Sequence, residues 1–172
     1  MSCEFKQITQ QWEIDKWNKL FRQDYDGYVA PYVGQIRRIL SSSRSKYIRV
    51  EHEGEAIGYA RLTLRRENVI AGKPAQIWSI EEIFVKSEFR HNGVAASLIA
   101  YLRETYDISH IHIQKERAEK LKDFHSRLGF GLIIPHPTDE DMAYVLNTHR
   151  PKMQQALRLN ADNDNAECER VA

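Results

Sequence analysis

The feature that most constrains this chain is an apolar stretch that ends in a charged turn and continues directly into an apolar helix pattern. Residues 76–85, QIWSIEEIFV, are rich in β-branched and aromatic side chains and predict a buried strand. The turn contains Arg90-His91-Asn92-Gly93, and residues 94–106, VAASLIAYLRETY, have apolar side chains at helical spacing. The sequence therefore predicts a strand, a glycine turn and a helix in direct succession.

The start of this helix lacks a conventional side-chain cap, since no Ser, Thr or Asp stands immediately before the small residues. The first amide groups of a helix have no partner inside it, and an anion is one group that satisfies them. Gly93 and Ala95 allow a ligand to approach the main chain, and Arg90 adds a positive charge. The turn thus fits a phosphate or pyrophosphate, although the same pattern also occurs in turns that bind nothing.

The remaining pattern predicts a mixed α/β domain around one twisted sheet. The other predicted elements are helices at 9–23 and 32–43, a hairpin of strands at 46–52 and 56–66, a loop at 67–75, a strand at 109–114, a charged helix at 115–130 that ends at Gly129, and two short strands within 131–147. We predict one domain over residues 1–149 and a polar tail over 150–172, a short helix followed by disorder.

Composition narrows the class of partner. The formal net charge of +1 gives no strong field for nucleic acid or an anionic membrane, so neither is expected as a partner. No apolar run approaches the roughly 20 residues of a membrane span, and no signal peptide is recognisable. Cys3 and Cys168 are read as a reduced pair, which predicts a cytoplasmic protein.

The stretch IEEIFVKSEFRHNGVAASLIAYL resembles the acyl-CoA signature of the GCN5-related N-acetyltransferase (GNAT) superfamily, which is a strand with a valine near its end and Arg/Gln-x-x-Gly-x-Gly/Ala at the start of a helix. Val85 and the segment Arg90 to Ala95 match that signature. The stretch DFHSRLGF resembles the family's second landmark, an aromatic-rich helix that ends in Gly-Phe. The order of elements is similar over roughly residues 5–147.

The resemblance implies acetyl-CoA as co-substrate and no metal. Its pyrophosphate would lie on the turn, and its pantetheine arm would lie in a wedge where the strand ending at Val85 splays away from the strand at 109–114. The implied cofactor-binding residues are Ile83, Phe84, Val85, Arg90, His91, Asn92, Gly93, Val94 and Ala95.

Acetyl transfer to an amine needs a neutral amine, a donor to the carbonyl oxygen and a proton for the leaving thiolate. Glu81 and Glu82 are the candidates beside the amine, and strand alternation predicts them on opposite faces. The position of Glu81 resembles the acidic residue that many relatives place beside the acceptor. We interpret Glu81 as a base, directly or through water, or as an anchor for a cationic amine; an exposed edge position is the alternative.

His125 occupies the position at which the family usually has a tyrosine that protonates the thiolate. A histidine there suits an acid at neutral pH, and a surface histidine with another group as acid is the alternative. His110 and His112 alternate on one strand, and we interpret them as core or interface residues because further metal ligands cannot be placed.

The segment Asp24, Tyr25, Asp26 and Tyr28 is expected to bind the acceptor, because carboxylates and aromatic rings suit a cationic amine. A solvated loop is the alternative. The resemblance implies an acetyl-CoA-dependent N-acetyltransferase that acts by direct attack in a ternary complex, and the glutamates and the acidic-aromatic segment favour a small cationic amine such as a polyamine or aminoglycoside as acceptor. A protein N-terminus or lysine as acceptor, and a non-catalytic acyl-CoA-binding sensor, remain alternatives. The resemblance also suggests a homodimer.

Overall fold

A seven-stranded sheet organises the residues that the computed structural model describes, which are 2–24, 44–70 and 73–148. The strand order is β1-β2-β3-β4-β5-β7-β6, and every described pair is antiparallel except the parallel pair β4–β5. The strands are β1 (Glu4–Ile8), β2 (Ser45–His52), β3 (Glu55–Ile70), β4 (Lys73–Val85), β5 (Asp107–Gln114), β6 (Phe130–Pro135) and β7 (Met142–Asn147). The predicted mixed α/β fold is confirmed.

Four helices within the described residues cover this sheet. They are α1 (Gln11–Asp24), α2 (Val94–Thr105), α3 (Lys115–Lys120) and α4 (Lys122–Arg127). None of these helices has the length and apolar character needed to cross a membrane.

Two apolar clusters lie on opposite faces of the sheet. The larger one joins Leu62 and Ile80 of the central strands to Leu98 and Leu102 of α2. The smaller one joins Tyr59 and Phe84 to Trp17 of α1. We call these two sides the α2 face and the α1 face. Alternation along β3 produces the division, since Tyr59 and Arg61 point to the α1 face whereas Ala60 and Leu62 point to the α2 face.

Strand β1 was not predicted from the sequence. Its residues, EFKQI, are mostly exposed, and their strand conformation comes from antiparallel pairing with β2, from Glu4 opposite Glu51 to Ile8 opposite Tyr47. Pairing with a distant strand therefore determines the conformation of residues 4–8, and their local sequence pattern does not predict it.

The prediction of a loop at 67–75 is wrong. β3 extends to Ile70 and β4 begins at Lys73, so the two strands form one long hairpin that pairs Asn68 with Ala75 and Val69 with Pro74. Asn, Gly and Pro are typical of loops, and here the ladder with the partner strand overrides that preference.

The helix predicted at 115–130 is interrupted. Leu121 has φ −102° and ψ 15°, which separates α3 from α4. Gly129 has φ +80°, as expected for a left-handed residue after the helix. The helix predicted at 32–43 and the tail predicted at 150–172 lie outside the described residues.

Candidate active site

The central strands separate at the middle of the sheet. β4 and β5 are paired from Ile77 opposite Asp107 to Ile80 opposite Ile111, and the pairing stops there. Beyond that point β4 stays paired with β3 as far as Val85, and β5 stays paired with β7 as far as Gln114. The predicted splay is confirmed, and β4 beyond Ile80 has no neighbouring strand among the described residues on its β5 side.

A cavity of about 580 Å³ occupies this wedge. It connects residues of the central strands with the turn before α2 and with one side of α3 and α4. Its lining includes Glu81, Glu82, Ile83 and Val85 of β4, Arg90 and Ala95 of the turn and α2, His112 of β5, and Arg117, Leu121 and His125 of the last helices.

The turn before α2 keeps its amide groups open. His91 and Gly93 have φ values of +63° and +79°, and α2 begins without a side-chain cap. The first helical bond, 2.9 Å long, runs from the Ser97 amide to the Gly93 carbonyl, so the amides of residues 94–96 precede the helical ladder. Alternating left-handed positions followed by free helix amides form a concave site that suits an anion.

The predicted cofactor residues take three kinds of position. Side chains of Ile83, Val85, Arg90 and Ala95 line the cavity. His91, Asn92 and Gly93 are exposed in the turn. The side chains of Phe84 and Val94 are buried in the two apolar clusters, which leaves only their main-chain groups for a ligand.

Arg90 also fixes the end of β4. Its Nε donates a hydrogen bond to the Val85 carbonyl oxygen at 2.9 Å. The guanidinium carbon lies 6.0 Å from the centre of the Phe84 ring. These contacts hold the cation at the base of the turn, where it adds positive potential to the open amides.

The two glutamates of β4 lie on the same face, so the prediction of opposite faces is wrong. Glu82 is paired with Arg61 and Ile80 with Leu62, which makes Glu81 the extra residue of a β-bulge. The bulge shifts the alternation by one residue, and Glu81 and Glu82 both point to the α1 face. The hydrogen bonds confirm this arrangement, since Glu82 contacts Tyr59 and Arg61 and Glu81 contacts Ser79 and His112 on that face.

Glu81 is a partly buried residue whose side chain is 9% exposed and has three partners. It accepts hydrogen bonds from Ser79 Oγ, from Arg65 Nη2 at 2.5 Å and from His112 Nδ1 at 3.1 Å. Burial alone would raise its pKa, but the hydrogen bonds from His112 and Ser79 and the charge of Arg65 outweigh burial and lower the pKa to about 2. Glu81 is therefore an anion throughout the physiological range and a very weak proton acceptor.

Glu82 is committed to an ion pair. Its carboxylate accepts a hydrogen bond from Arg61 Nη2 at 2.8 Å and another from the Tyr59 hydroxyl at 3.1 Å. The Arg61 side chain is 11% exposed and the Glu82 side chain 16%. Glu82 thus neutralises a nearly buried guanidinium while one side of it lines the cavity.

His125 is buried at 3% exposure, so the alternative of a surface histidine is wrong. Burial lowers its pKa, and its Nδ1 has no hydrogen-bond partner among the described residues. The ring lines the same cavity as Glu81. At neutral pH it is an uncharged imidazole, which donates a hydrogen bond but holds no readily released proton.

The predicted acceptor segment is mostly outside the described residues. Asp24 is the last residue of α1, and Tyr25, Asp26 and Tyr28 are not described. The side chain of Asp24 also lies outside the described part of the chain, and the role of these four residues stays a prediction.

The sequence reasoning missed the position of His112, which it interpreted as a core or interface residue. His112 lines the cavity and contacts Glu81, whereas His110 is opposite Ser79 in the paired part of the strands. The available signal was the alternation of the two histidines on a strand adjacent to the glutamates. No group of three or more His, Cys, Asp or Glu side chains among residues 2–24, 44–70 and 73–148 is arranged to hold a metal ion.

Comparison with known proteins identifies the class to which this fold and site belong. Residues 7–130 match the "Acetyltransferase (GNAT) family". The chain therefore belongs to the GNAT family, and that family membership makes it an N-acetyltransferase. A search of curated proteins finds no match.

Solved structures share the fold at low sequence identity. An aminoglycoside acetyltransferase, AAC(6')-Iy, solved in complex with the bisubstrate analogue CoA-S-monomethyl-acetylneamine, is 22% identical with a TM-score of 0.57, over 81% of this chain and 99% of its own. Aminoglycoside 6'-N-acetyltransferase AAC(6')-Ih from Acinetobacter baumannii is 15% identical with a TM-score of 0.55, over 80% and 99%. A protein described as a possible acetyltransferase from Clostridium difficile 630 is 14% identical with a TM-score of 0.61, over 81% and 97%.

Proposed function

We propose that the protein transfers the acetyl group of acetyl-CoA to the primary amine of a small cationic acceptor, by direct attack in a ternary complex. The observation that carries the proposal is the wedge between β4 and β5, which joins an anion-binding turn at one end to two carboxylates at the other through one cavity. Acetyl-CoA has its phosphates and its thioester at opposite ends of a long arm. The turn suits the phosphates, and the carboxylates suit an amine beside the thioester.

The cofactor end is supported by the turn from Arg90 to Ala95. The helix-start amides and the Arg90 guanidinium suit a pyrophosphate, and the side of β4 that, within the described part of the chain, has no neighbouring strand beyond Ile80 suits the amides of the pantetheine arm. Solved structures of AAC(6')-Iy, which shares the fold, contain CoA or a CoA conjugate.

The acceptor end is supported by the α1 face of the bulge. Glu81 and Glu82 place two carboxylates at the cavity, and the rings of His112, His136 and Tyr144 are packed together beside them, with centroids 5.0–5.4 Å apart. Arg61 and Arg65 balance much of this charge and already engage both carboxylates, so an ammonium or hydroxyl group would use only their remaining acceptor positions. This chemistry suits polyamines and aminoglycosides.

The test is release of CoA thiol from acetyl-CoA by the purified protein with spermidine, kanamycin, a lysine peptide and a peptide with a free N-terminus as acceptors. We expect turnover with spermidine or kanamycin and little with either peptide. If only a peptide is acetylated, the acceptor is a protein amine and not a small cationic amine. Binding of acetyl-CoA by calorimetry without turnover on any amine would support a sensor instead of an enzyme.

A further inference from the structure

We propose that His112 is the catalytic base that takes the proton from the acceptor ammonium, and that Glu81 is a positioning residue that holds the His112 ring. This inference rests on the proposed function. It assigns the proton transfer to a residue that the sequence pattern placed in the core or in an interface.

The contact between the two side chains fixes which nitrogen carries the proton. Glu81 Oε2 lies 3.1 Å from His112 Nδ1. An ionised carboxylate only accepts hydrogen bonds, so Nδ1 must be the donor. In the neutral ring the lone pair is then on Nε2, which is the arrangement of a histidine base oriented by a carboxylate.

The second nitrogen of His112 is not engaged by the described part of the protein. His112 Nε2 is buried and has no hydrogen-bond partner among the described residues, and His112 is one of the residues that line the cavity. A buried polar atom without a partner is costly unless a water or a substrate satisfies it. The amine of the acceptor is the group that the proposed reaction brings to this cavity.

Glu81 itself is poorly suited to the role of base. Its carboxylate is already occupied by Ser79, Arg65 and His112. These donors stabilise its charged form, and protonation would break them. The same contacts make Glu81 a rigid acceptor for His112, because Arg65 and Ser79 fix both its position and its charge.

Groups on each neighbouring element face the His112 ring. They are Glu81 on β4, with Arg65 of β3 behind it, His136 before β7 at 5.2 Å between ring centroids, and Tyr144 of β7 at 5.4 Å. Glu81 is the anionic neighbour of the ring, and His136 and Tyr144 are its ring neighbours. The pH profile of the enzyme therefore reports this group of side chains together.

The proposed reaction begins with a proton transfer from the acceptor to His112. The acceptor enters as R–NH3+ and gives one proton to His112 Nε2, which leaves R–NH2 and an imidazolium. The nitrogen lone pair forms a bond to the thioester carbonyl carbon, and the C–S bond breaks with its electron pair on sulfur. The surplus proton on the new amide nitrogen neutralises the CoA thiolate, and His112 releases its proton to solvent.

The test compares wild type with His112→Gln, Glu81→Gln and His110→Gln, using acetyl-CoA and whichever of spermidine or kanamycin wild type accepts. His110 is the matched control because it shares the strand and the face but lies outside the cavity lining. We expect His112→Gln to lower kcat/KM for the amine about 100-fold at pH 7, Glu81→Gln about tenfold, and His110→Gln less than about threefold.

The shape of the pH profile separates a base from a structural side chain. Wild type should reach a plateau in kcat/KM once its base is unprotonated. His112→Gln should continue to rise with pH and approach wild type in alkaline solution, where the amine loses its proton without help. Glu81→Gln should also change the proton distribution on the His112 ring from Nδ1–H to a mixture, as read from the nitrogen-15 spectrum.

Two results overturn the inference in distinguishable ways. A His112→Gln variant with wild-type kcat/KM and an unchanged plateau removes His112 from the reaction and leaves the proposed function standing. A wild-type protein that acetylates no amine removes the proposed function, and the role of His112 falls with it.

Discussion

At the scale of single residues, the state of His125 follows from its surroundings. Its sequence position suggests an acid, but a histidine buried to 3% exposure with a lowered pKa is uncharged at neutral pH. An uncharged imidazole stabilises a developing thiolate by donating a hydrogen bond, and the proton that sulfur finally carries comes from elsewhere. The sequence specifies the residue type, whereas its charge state depends on packing between α4 and the sheet.

We expect His125→Phe to lower kcat about tenfold, because one hydrogen bond to a developing charge is lost. The acetyl-CoA dissociation constant should change little, since the ring volume is retained. Single-turnover kinetics together with calorimetry separate the two effects. Wild-type kcat in the variant would show that His125 makes no contact with the leaving sulfur.

The same burial predicts a pH effect on folding. The pKa of His125 is lower in the folded protein than the ordinary value of 6.5, so the unfolded chain binds more protons just below pH 6.5. Folding stability should therefore fall as the pH decreases below about 6.5. Urea unfolding at pH 7.5 and pH 5.5 should show a smaller loss for His125→Phe than for wild type. Equal losses would contradict the burial argument.

At the scale of elements, the turn before α2 was predictable and the bulge in β4 was not. The lack of a capping side chain before α2 can be read from the neighbouring residues alone, because a helix cap is formed by residues close in sequence. The bulge at Glu81 depends on how β4 pairs with β3, and simple alternation therefore placed the two glutamates wrongly. For the same reason the partnership of Glu81 and His112, which are 31 residues apart, was out of reach of the sequence pattern.

Gly93→Ala should weaken acetyl-CoA binding, because a methyl group would occupy the open space above the helix-start amides. Gly93 has φ +79° and nothing within 4 Å of an added Cβ. Gly54, in the β2–β3 turn, has φ +81° and equally open surroundings, which makes Gly54→Ala the control. Both variants should lose about 1 kcal/mol of stability from backbone strain.

Calorimetry with CoA distinguishes the two glycine variants. We expect about tenfold weaker binding for Gly93→Ala and unchanged binding for Gly54→Ala. If both bind CoA like wild type, the turn is not the phosphate site. Cofactor binding would then depend on the walls of the wedge.

At the scale of the whole molecule, the fold class was predictable from the pattern of elements and the splay from the family resemblance, whereas β1 and the length of the central hairpin were not. The fold class is predicted from the order of strands and helices along the whole sequence, so errors in single elements do not change the prediction. β1 and the outer part of the hairpin are formed by pairing between segments of weak local preference. The homodimer and the cytoplasmic location stay predictions.

Acid stability of the whole domain should depend on Glu81. Its pKa is about 2 in the folded protein against a reference of 4.5, so its stabilising effect is complete above about pH 4.5 and is lost as the pH falls toward 2. The difference corresponds to about 3 kcal/mol. Urea unfolding of Glu81→Gln should show a weaker pH dependence in this range than wild type. Glu104→Gln, which removes an exposed carboxylate of α2, should keep the wild-type dependence.

The open wedge has a consequence for how such an enzyme diverges. The groups that face the wedge along β4 belong to the main chain, and a mutation at Ile83 or Val85 replaces a side chain without removing them. The acceptor side is made of side chains, each of which one codon can change. A gene for this fold can therefore acquire a new acceptor by point mutation while the strand geometry that faces the cofactor is inherited intact.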